Sequence, residues 1–288
     1  MNELTVGVVA GAPDLYELVW FPSVDWCGDL AGVVLEENWD DDGSGRNPIL
    51  FNYFKYYVRR AREEGIWVEA TAPNGARFAA LDTGLLSRHF EPVYAVFEAN
   101  RDQSRQPWVH KEWATPGSAR LRIFDMSQLR RALFFSDPAE AVYDPRLPVI
   151  PNLEHIIDDN VDRYPEQLRD NPYLRKAALE HAIQVAAARA RSNWRLAAPQ
   201  FYWPHNGDAG RIQLLLPLSL IEPSRVDLAL VVDRSPAYRE QPDPAKASYH
   251  AYTVLPIDWA YRNARLVTRP EAYWLDINRR VGLSATES

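Results

Sequence analysis

The chain contains a single cysteine, Cys27, in 288 residues. One thiol excludes an internal disulfide and a zinc site built from several thiolates. A chain without disulfides suits a reducing compartment, so the cytoplasm is the expected location. Cys27 lies between Trp26 and Gly28 with no histidine close in sequence, and we expect a buried thiol there rather than a nucleophile.

Long apolar runs are also missing. No stretch reaches the roughly 18 consecutive apolar residues that a membrane-spanning helix needs, so no membrane partner is expected. Residues 1–12 lack a basic start and a long apolar core, and they are interpreted as a first strand rather than a secretory signal. The formal net charge of -7 argues against a field that attracts nucleic acid to the whole protein, although a local basic patch can still do so.

Three familiar catalytic loops are absent from the sequence. There is no Gly-x-Ser-x-Gly elbow, no Walker A loop and no Gly-x-Gly-x-x-Gly fingerprint. These absences argue against a serine nucleophile on such an elbow and against triphosphate hydrolysis by a phosphate-binding loop. The composition, with 47% hydrophobic and 25% charged residues, is that of an ordinary globular protein with a large core.

The first half of the chain predicts a helix followed by a β-hairpin. Apolar residues recur at spacings of three and four from Ile49 to Gly65, which is typical of an amphipathic helix. Residues 66–71 and 76–81 flank a Pro-Asn-Gly turn and predict the hairpin. The polar side of the helix is basic, with Lys55, Arg59, Arg60 and Arg62.

Helix plus hairpin is the outline of a winged helix, in which the basic face would lie on nucleic acid and the hairpin would act as the wing. The alternative is an ordinary solvated helix face, because Glu63 and Glu64 dilute the positive charge.

The second half predicts a mixed β-sheet with a long helix packed against it. The helix spans Pro172 to Asn193, and its many alanines favour close approach to a neighbouring element. Apolar runs rich in valine, leucine and aromatic residues predict strands at residues 200–203, 212–218, 228–232 and 249–255. Shorter patterns predict a strand at 121–124, helices at 127–135 and 256–264, and a final strand at 265–267.

The predicted fold class is therefore α+β: a mixed sheet with a long packing helix, preceded by a winged-helix-like unit of helix and hairpin. The proline-broken connector at residues 137–151 is the candidate boundary between an N-terminal region, 1–145, and a C-terminal region, 146–288. We expect the two regions to form one continuous compact domain. No oligomeric state is assigned.

The segment from Leu153 to Pro165 concentrates groups that can do chemistry. If it is helical, His155 and Asp159 lie four residues apart on one face, where the carboxylate could orient the imidazole as a general base. Arg163, two turns beyond His155, could neutralise charge that develops on a phosphate or acyl oxygen. The alternative is a salt-bridged, solvated helix face. The His155 and Asp159 pair could also hold a divalent metal ion, although no metal ligand set is assigned because a third ligand is a guess among His181, His205 and Asp258.

Polar residues in the last third are the candidate substrate contacts. Cations at the end of the long helix could hold a phosphate or merely cap the helix, and amides could hydrogen-bond the polar edges of a base. These candidates are Arg189, Asn193, Gln200, Gln213, Asp258, Tyr261, Asn263 and Arg265.

Several short motifs in one order carry a resemblance to a known family. They include Asp82-Thr83-Gly84-Leu85 and Tyr94–Asn100 in the first half, His155-Ile156-Ile157 in the centre, and Asn193–Tyr202 and Ala260–Leu266 in the last third. With these motifs the chain resembles the DUF3825 domain family over nearly its whole length. The resemblance implies a relation to bacterial and fungal proteins, some with attached RNA-associated domains. It therefore favours a function directed at RNA or nucleotides.

Three functional hypotheses follow. The first is a nucleotide- or RNA-directed hydrolase or transferase that acts on phosphoryl or phosphodiester groups through His155, Asp159 and Arg163. The second is a non-catalytic module that binds RNA or a nucleotide with the same arginines and amides. The third is a scaffold that acts through protein contacts.

Overall fold

The computed structural model describes residues 15–102, 104–204, 209–235, 247–271 and 274–275. The first strand predicted at residues 1–12 and the candidate metal ligand His205 lie outside these ranges. The described residues up to Leu133 form one compact unit, and those from Phe134 onward form a second. Each unit has its own five-stranded mixed sheet and its own helices, so the predicted α+β class is confirmed. The predicted boundary at residue 145 and the predicted single domain stay predictions.

The first unit is built on a sheet of order β1-β5-β4-β3-β2. The short β1 pairs parallel with β5, and all other neighbours in this sheet are antiparallel. Its strands are β1 (Val19–Trp20), β2 (Val68–Thr71), β3 (Arg77–Leu86), β4 (Pro92–Ala99) and β5 (Trp108–Ala114). Its helices are α1 (Leu15–Leu18), α2 (Trp26–Val33) and α3 (Pro48–Glu63).

Helix α3 begins and ends where its sequence predicts. Pro48 occupies the first helical position, and Gly65 follows the helix with a φ of +64°. Its buried face consists of Ile49, Leu50, Tyr53, Phe54, Tyr57, Val58 and Ala61. On the opposite face, Arg59 pairs with Glu63 and Arg60 pairs with both Glu63 and Glu64. These pairs neutralise part of the basic face. The hairpin β2–β3 is the edge of the five-stranded sheet, and its role as a wing stays a prediction.

The second unit is built on a sheet of order β6-β10-β9-β8-β7. Strand β6 pairs parallel with β10, and the other neighbours are antiparallel. Its strands are β6 (Val149–Pro151), β7 (Ala198–Tyr202), β8 (Arg211–Leu218), β9 (Leu228–Arg234) and β10 (Tyr249–Pro256). Its helices are α4 (Leu153–Asp158), α5 (Glu166–Arg169), α6 (Pro172–Ser192) and α7 (Ile257–Val267).

Helix α6 is the long packing helix and contacts β8. Asn171 caps its first turn by accepting a hydrogen bond from the Leu174 amide, and Pro172 is its first residue. Four alanines lie on its buried face, which allows the close approach to the sheet that the sequence predicts. Arg175 is also buried there, and its guanidinium donates to the carbonyls of Leu168 and Arg169.

Three short predictions were wrong. Residues 119–123 form a 3-10 helix rather than a strand, and residues 127–135 form no regular element. Residues 265–267 continue α7 instead of forming a final strand. Within the described residues, no helix is both long enough and apolar enough to cross a membrane.

Candidate functional site

The His155 and Asp159 pair forms as the four-residue spacing predicts. The His155 Nδ1 and Asp159 Oδ2 atoms are 2.5 Å apart. Both side chains are exposed, by 49% and 58%, so water screens the interaction and the pair contributes little to stability. No third histidine, cysteine, aspartate or glutamate among the described residues joins this pair in a metal-binding cluster.

Arg163 lies beyond the end of the helix that carries His155 and makes its contacts with β10 and α7. Helix α4 stops at Asp158, and a separate 3-10 helix, Val161–Arg163, follows Asn160. The Arg163 guanidinium donates to Thr253 Oγ1 at 3.0 Å and to the Val254 carbonyl at 2.6 Å, and it lies 5.3 Å from the Trp259 ring centre. Arg163 therefore fastens the central segment to β10 and the start of α7.

Asn160 makes the same connection from a buried position. Its Nδ2 donates to the Ile156 carbonyl at 3.2 Å, and its Oδ1 accepts from Thr253 Oγ1 at 3.1 Å. The central segment thus packs on the second sheet, while His155 and Asp159 stay at its outer surface.

Three of the predicted substrate contacts come together on the second sheet. Gln200 on β7 donates to Gln213 on β8 at 3.0 Å, and Asn263 on α7 donates to Gln200 at 3.2 Å. Asn193 is exposed at the end of α6, and Tyr261 and Arg265 are buried on α7. Arg189 and Asp258 are partly buried, on α6 and α7.

The amides belong to a larger polar surface, which we call the polar face. It comprises the alternate residues of four neighbouring strands or their ends: Gln200, Tyr202, Arg211, Gln213, Asp233, Ser235, Ser248 and His250. Strand register explains their proximity, because Gln200 pairs with Gln213, Tyr202 pairs with Arg211, and Asp233 pairs with His250. Gln200, Gln213, Asp233, Ser235 and Ser248 are all buried, which is an unusual concentration of polar groups on one sheet face.

Hydrogen bonds run in a chain across this face. Asp233 Oδ2 accepts from Arg211 Nε at 2.7 Å and from Gln213 Nε2 at 3.2 Å. With the bonds from Gln200 and Asn263, an amide relay extends from Asn263 through Gln200 and Gln213 to Asp233.

Two pairs of partly exposed planar groups lie on the same sheet as the relay. The Arg211 guanidinium lies 5.2 Å from the centre of the Tyr202 ring. On β10, the rings of His250 and Tyr252 are nearly parallel, at 18°, with centres 6.0 Å apart. His250 also contacts Ser248 Oγ through Nε2 at 2.9 Å and the Tyr252 hydroxyl through Nδ1 at 3.3 Å.

Sequence reasoning missed Arg211, Asp233, Ser248 and His250. A usable signal was present, because Arg211 and Gln213 alternate along one strand, and Ser248 and His250 along another, with the period of two that places side chains on one face. The pairing of those strands is not encoded locally, so the sequence did not show that the groups meet.

Among the described residues, the group of side chains that could hold a metal ion is a set of three aspartates in the first unit. The carboxylates of Asp40, Asp41 and Asp42 have ligand atoms within 4.8 Å of one another, in the acidic loop before α3. Such exposed acidic groups are common without an ion, and the loop is remote in sequence from the polar face.

These features define a two-unit α+β protein whose second sheet carries a buried polar relay between partly exposed rings. The family model described as Domain of unknown function (DUF3825) matches residues 30–274. The chain therefore belongs to the DUF3825 family, as its motifs predicted. No curated protein and no solved structure matches the chain.

Proposed function

We propose that the chain binds a short segment of single-stranded RNA on the polar face, as a binding module. The observation that carries the proposal is the set of partly exposed planar side chains on one sheet: Tyr202 with Arg211, and His250 with Tyr252. Aromatic rings stack on any base because every base has a π-face, and single strands present unpaired bases to such sheets.

The spacing of the planar groups favours more than one base. Strands β10 and β7 are separated by β9 and β8, which corresponds to about 14 Å at the usual strand spacing. A surface of this width accommodates two neighbouring bases better than one. A mononucleotide would then be a weakly bound fragment of the full ligand.

The charge of the face favours a short single strand over a duplex. Arg211 and Asp233 form an ion pair, so the net charge of the two groups is zero, and the whole chain carries -7. When log K is plotted against the logarithm of the salt concentration, each phosphate contact on a single strand contributes a slope of about -0.7. Binding with few phosphate contacts therefore has a shallow salt dependence. A steep slope would point to a different, more basic surface.

Replacing Tyr252 by alanine tests the stacking. Tyr252 is 49% exposed, so its removal leaves the core intact, and loss of one stacked base weakens binding by about tenfold. The measurement is fluorescence anisotropy of labelled single-stranded RNA, with duplex RNA as the comparison. The matched control is Tyr173→Ala, because Tyr173 is 81% exposed on α6 rather than on the polar face. Equal binding by the two variants contradicts the proposal. Absence of RNA binding by the wild type also overturns it, and leaves nucleotide-directed catalysis and the protein-interaction scaffold as the remaining hypotheses.

A second candidate function is hydrolysis or transfer at a phosphoryl or phosphodiester group. The specific observation in its favour is the hydroxyl–imidazole pair of Ser248 and His250, with Tyr252 orienting the other ring nitrogen. A nucleophile, a base and an orienting group within hydrogen-bond reach are the arrangement that covalent catalysis uses. The exposed His155 and Asp159 pair is the other catalytic position, as the sequence predicts.

Alanine variants distinguish the two catalytic positions. If the protein hydrolyses RNA or nucleotides at the polar face, Ser248→Ala and His250→Ala each lower the turnover rate by about 100-fold or more. If catalysis uses the outer pair, His155→Ala and Asp159→Ala cause the loss instead. Turnover of a panel of nucleotides and short RNAs is the readout. A panel on which none of the four variants lowers turnover, or on which the wild type shows none, rules out catalysis at both positions.

A further inference from the structure

The direction of the amide relay is fixed by Asp233. This carboxylate is paired with the Arg211 guanidinium and acts as a hydrogen-bond acceptor only. Gln213 must therefore turn its NH2 group, and not its oxygen, toward Asp233, as the 3.2 Å bond from Gln213 Nε2 shows. An amide with the opposite orientation would place two acceptors in contact in a buried place, which costs free energy.

The orientation of each following amide is set by its hydrogen bond to the amide before it. Because the nitrogen of Gln213 faces Asp233, its Oε1 faces Gln200 and accepts from Gln200 Nε2 at 3.0 Å. The Oε1 of Gln200 is then left to accept from Asn263 Nδ2 at 3.2 Å. All donors in the relay therefore point toward Asp233, and all acceptors point away from it.

Asn263 is the last member of the relay and the one that remains partly exposed. Its nitrogen is turned toward Gln200, so its Oδ1 is directed away from the relay, and no described residue donates a hydrogen bond to that oxygen. An isolated asparagine can turn either end of its amide toward a ligand. The relay removes this choice, because rotation of the Asn263 amide would bring its oxygen against the oxygen of Gln200.

We propose that Asn263 makes the polar face select bases with an exocyclic amine, adenine or cytosine, over bases that carry an oxygen at the same position. This inference rests on the RNA binding proposed above and adds the base class to it. An amine donates to the fixed Oδ1 of Asn263, whereas a carbonyl at the same place presents a second acceptor. Asn263 would touch the base, and Gln200, Gln213 and Asp233 would act as positioning residues behind it.

Matched ligand pairs test this selection on the wild-type protein. Short oligomers of adenosine and inosine differ in the amine or oxygen at one ring position, and oligomers of cytidine and uridine differ in the same way. We expect the amine-bearing member of each pair to bind about tenfold more tightly by anisotropy competition. Equal affinity within both pairs, or preference for the oxygen-bearing members, overturns the inference while RNA binding itself stands. Absence of binding by all four oligomers overturns the proposed function as well.

A positioning variant tests the relay itself. Gln200→Leu leaves Asn263 in place but frees its amide to rotate, so the preference within each pair should fall toward unity. The fall should come from tighter binding of the oxygen-bearing oligomers, because the freed Asn263 amide can turn its NH2 group toward their carbonyl. The matched control is Gln184→Leu, because Gln184 is exposed on α6 and should leave the preference unchanged. If Gln200→Leu fails to fold, Asn263→Ala replaces it and should also abolish the preference. A preference that survives in the folded variant contradicts the role of the relay.

Discussion

Replacing Gly84 by alanine is expected to lower the free energy of unfolding of the first unit by about 3 kcal/mol or more. Gly84 lies within β3 at a φ of +73°, where the pairing of β3 with β4 shifts register. A side chain in this left-handed conformation costs roughly 1–2 kcal/mol. A Cβ atom at Gly84 would also lie 2.6 Å from Tyr53 Oη and 2.7 Å from Tyr57 Cε2, and such overpacking costs roughly 1–3 kcal/mol.

The two tyrosines that a Cβ atom would displace are fixed by other contacts. Tyr53 is 1% exposed and donates from its hydroxyl to the Thr83 carbonyl at 2.9 Å. Tyr57 is equally buried, and its hydroxyl accepts from the Ala132 amide at 2.9 Å. Because neither ring can move without breaking a buried hydrogen bond, the clash at Gly84 is not relieved by a small adjustment.

Gly75 provides the matched control for this prediction. It has a φ of +82°, and a Cβ atom placed there meets nothing within 4 Å. Gly75→Ala therefore carries only the conformational cost, roughly 1–2 kcal/mol. Chemical denaturation, with hydrogen exchange of the β3 and β4 amides to localise the effect, measures both variants. Equal destabilisation by the two substitutions would contradict the role assigned to Tyr53 and Tyr57.

Gly84 also illustrates which parts of the fold the sequence could predict. Helices α3 and α6 were predicted closely because their apolar periodicity, prolines and flanking residues all agree. The motif Asp82-Thr83-Gly84-Leu85, a glycine next to polar residues, is typical of a turn, whereas it forms an irregularity inside a ten-residue strand. A glycine is expected both at a hairpin turn and at an irregularity within a strand. Only contacts with Tyr53 and Tyr57, which are distant in sequence, distinguish the two.

The wrong short elements have a similar explanation. Residues 121–124 and 265–267 are apolar or mixed runs that are too short to carry a period. Residues 265–267 became the last turn of α7 because Ala264 and Leu266 continue its buried face. Tertiary context decides the conformation of such short runs.

The candidate site was predictable in its local parts. The four-residue spacing gave the His155 and Asp159 contact, but the break at Asn160 depends on the bond from Thr253 to its side chain, 93 positions along the chain. Gln200, Gln213 and Asn263 were chosen as polar residues in apolar surroundings, and their mutual contacts follow from strand register. Asp233 was missed because its partners Arg211 and Gln213 lie on the neighbouring strand.

Lowering the pH from about 6.5 toward 4 is expected to destabilise the first unit by up to about 3 kcal/mol through His110. His110 is 9% exposed on β5, within the rings of Phe21, Phe97 and Trp113. Burial lowers the pKa of this imidazole from 6.5 to about 4, against smaller opposing effects of a hydrogen bond with the Glu112 backbone and of the Asp29 charge. Its Nε2 atom is buried, and no described residue forms a hydrogen bond with it or offers an acceptor for a proton placed there.

The direction of the pH effect follows from the lowered pKa. Between pH 6.5 and 4 the unfolded chain binds a proton at His110 and the folded chain does not, so the free energy of unfolding falls as the pH falls through this range. Above pH 6.5 both states are neutral at this residue and the contribution is constant. Asp82 acts in the opposite direction, because burial raises the pKa of its carboxyl group. The His110 contribution must therefore be isolated as a difference between variants.

His110→Phe supplies that difference, because phenylalanine keeps an aromatic ring among the neighbouring rings and cannot be protonated. Urea denaturation at pH 7 and at pH 4.5 should show a wild-type loss of stability that exceeds the loss of the variant by about 2–3 kcal/mol. His89→Phe is the control, because His89 is exposed in the same unit and its removal should leave the pH dependence unchanged. Parallel pH profiles for wild type and His110→Phe would mean that the imidazole is solvated in the folded protein. The ring cluster would then open at this point, and the aromatic core of the first unit would be looser than its contacts imply.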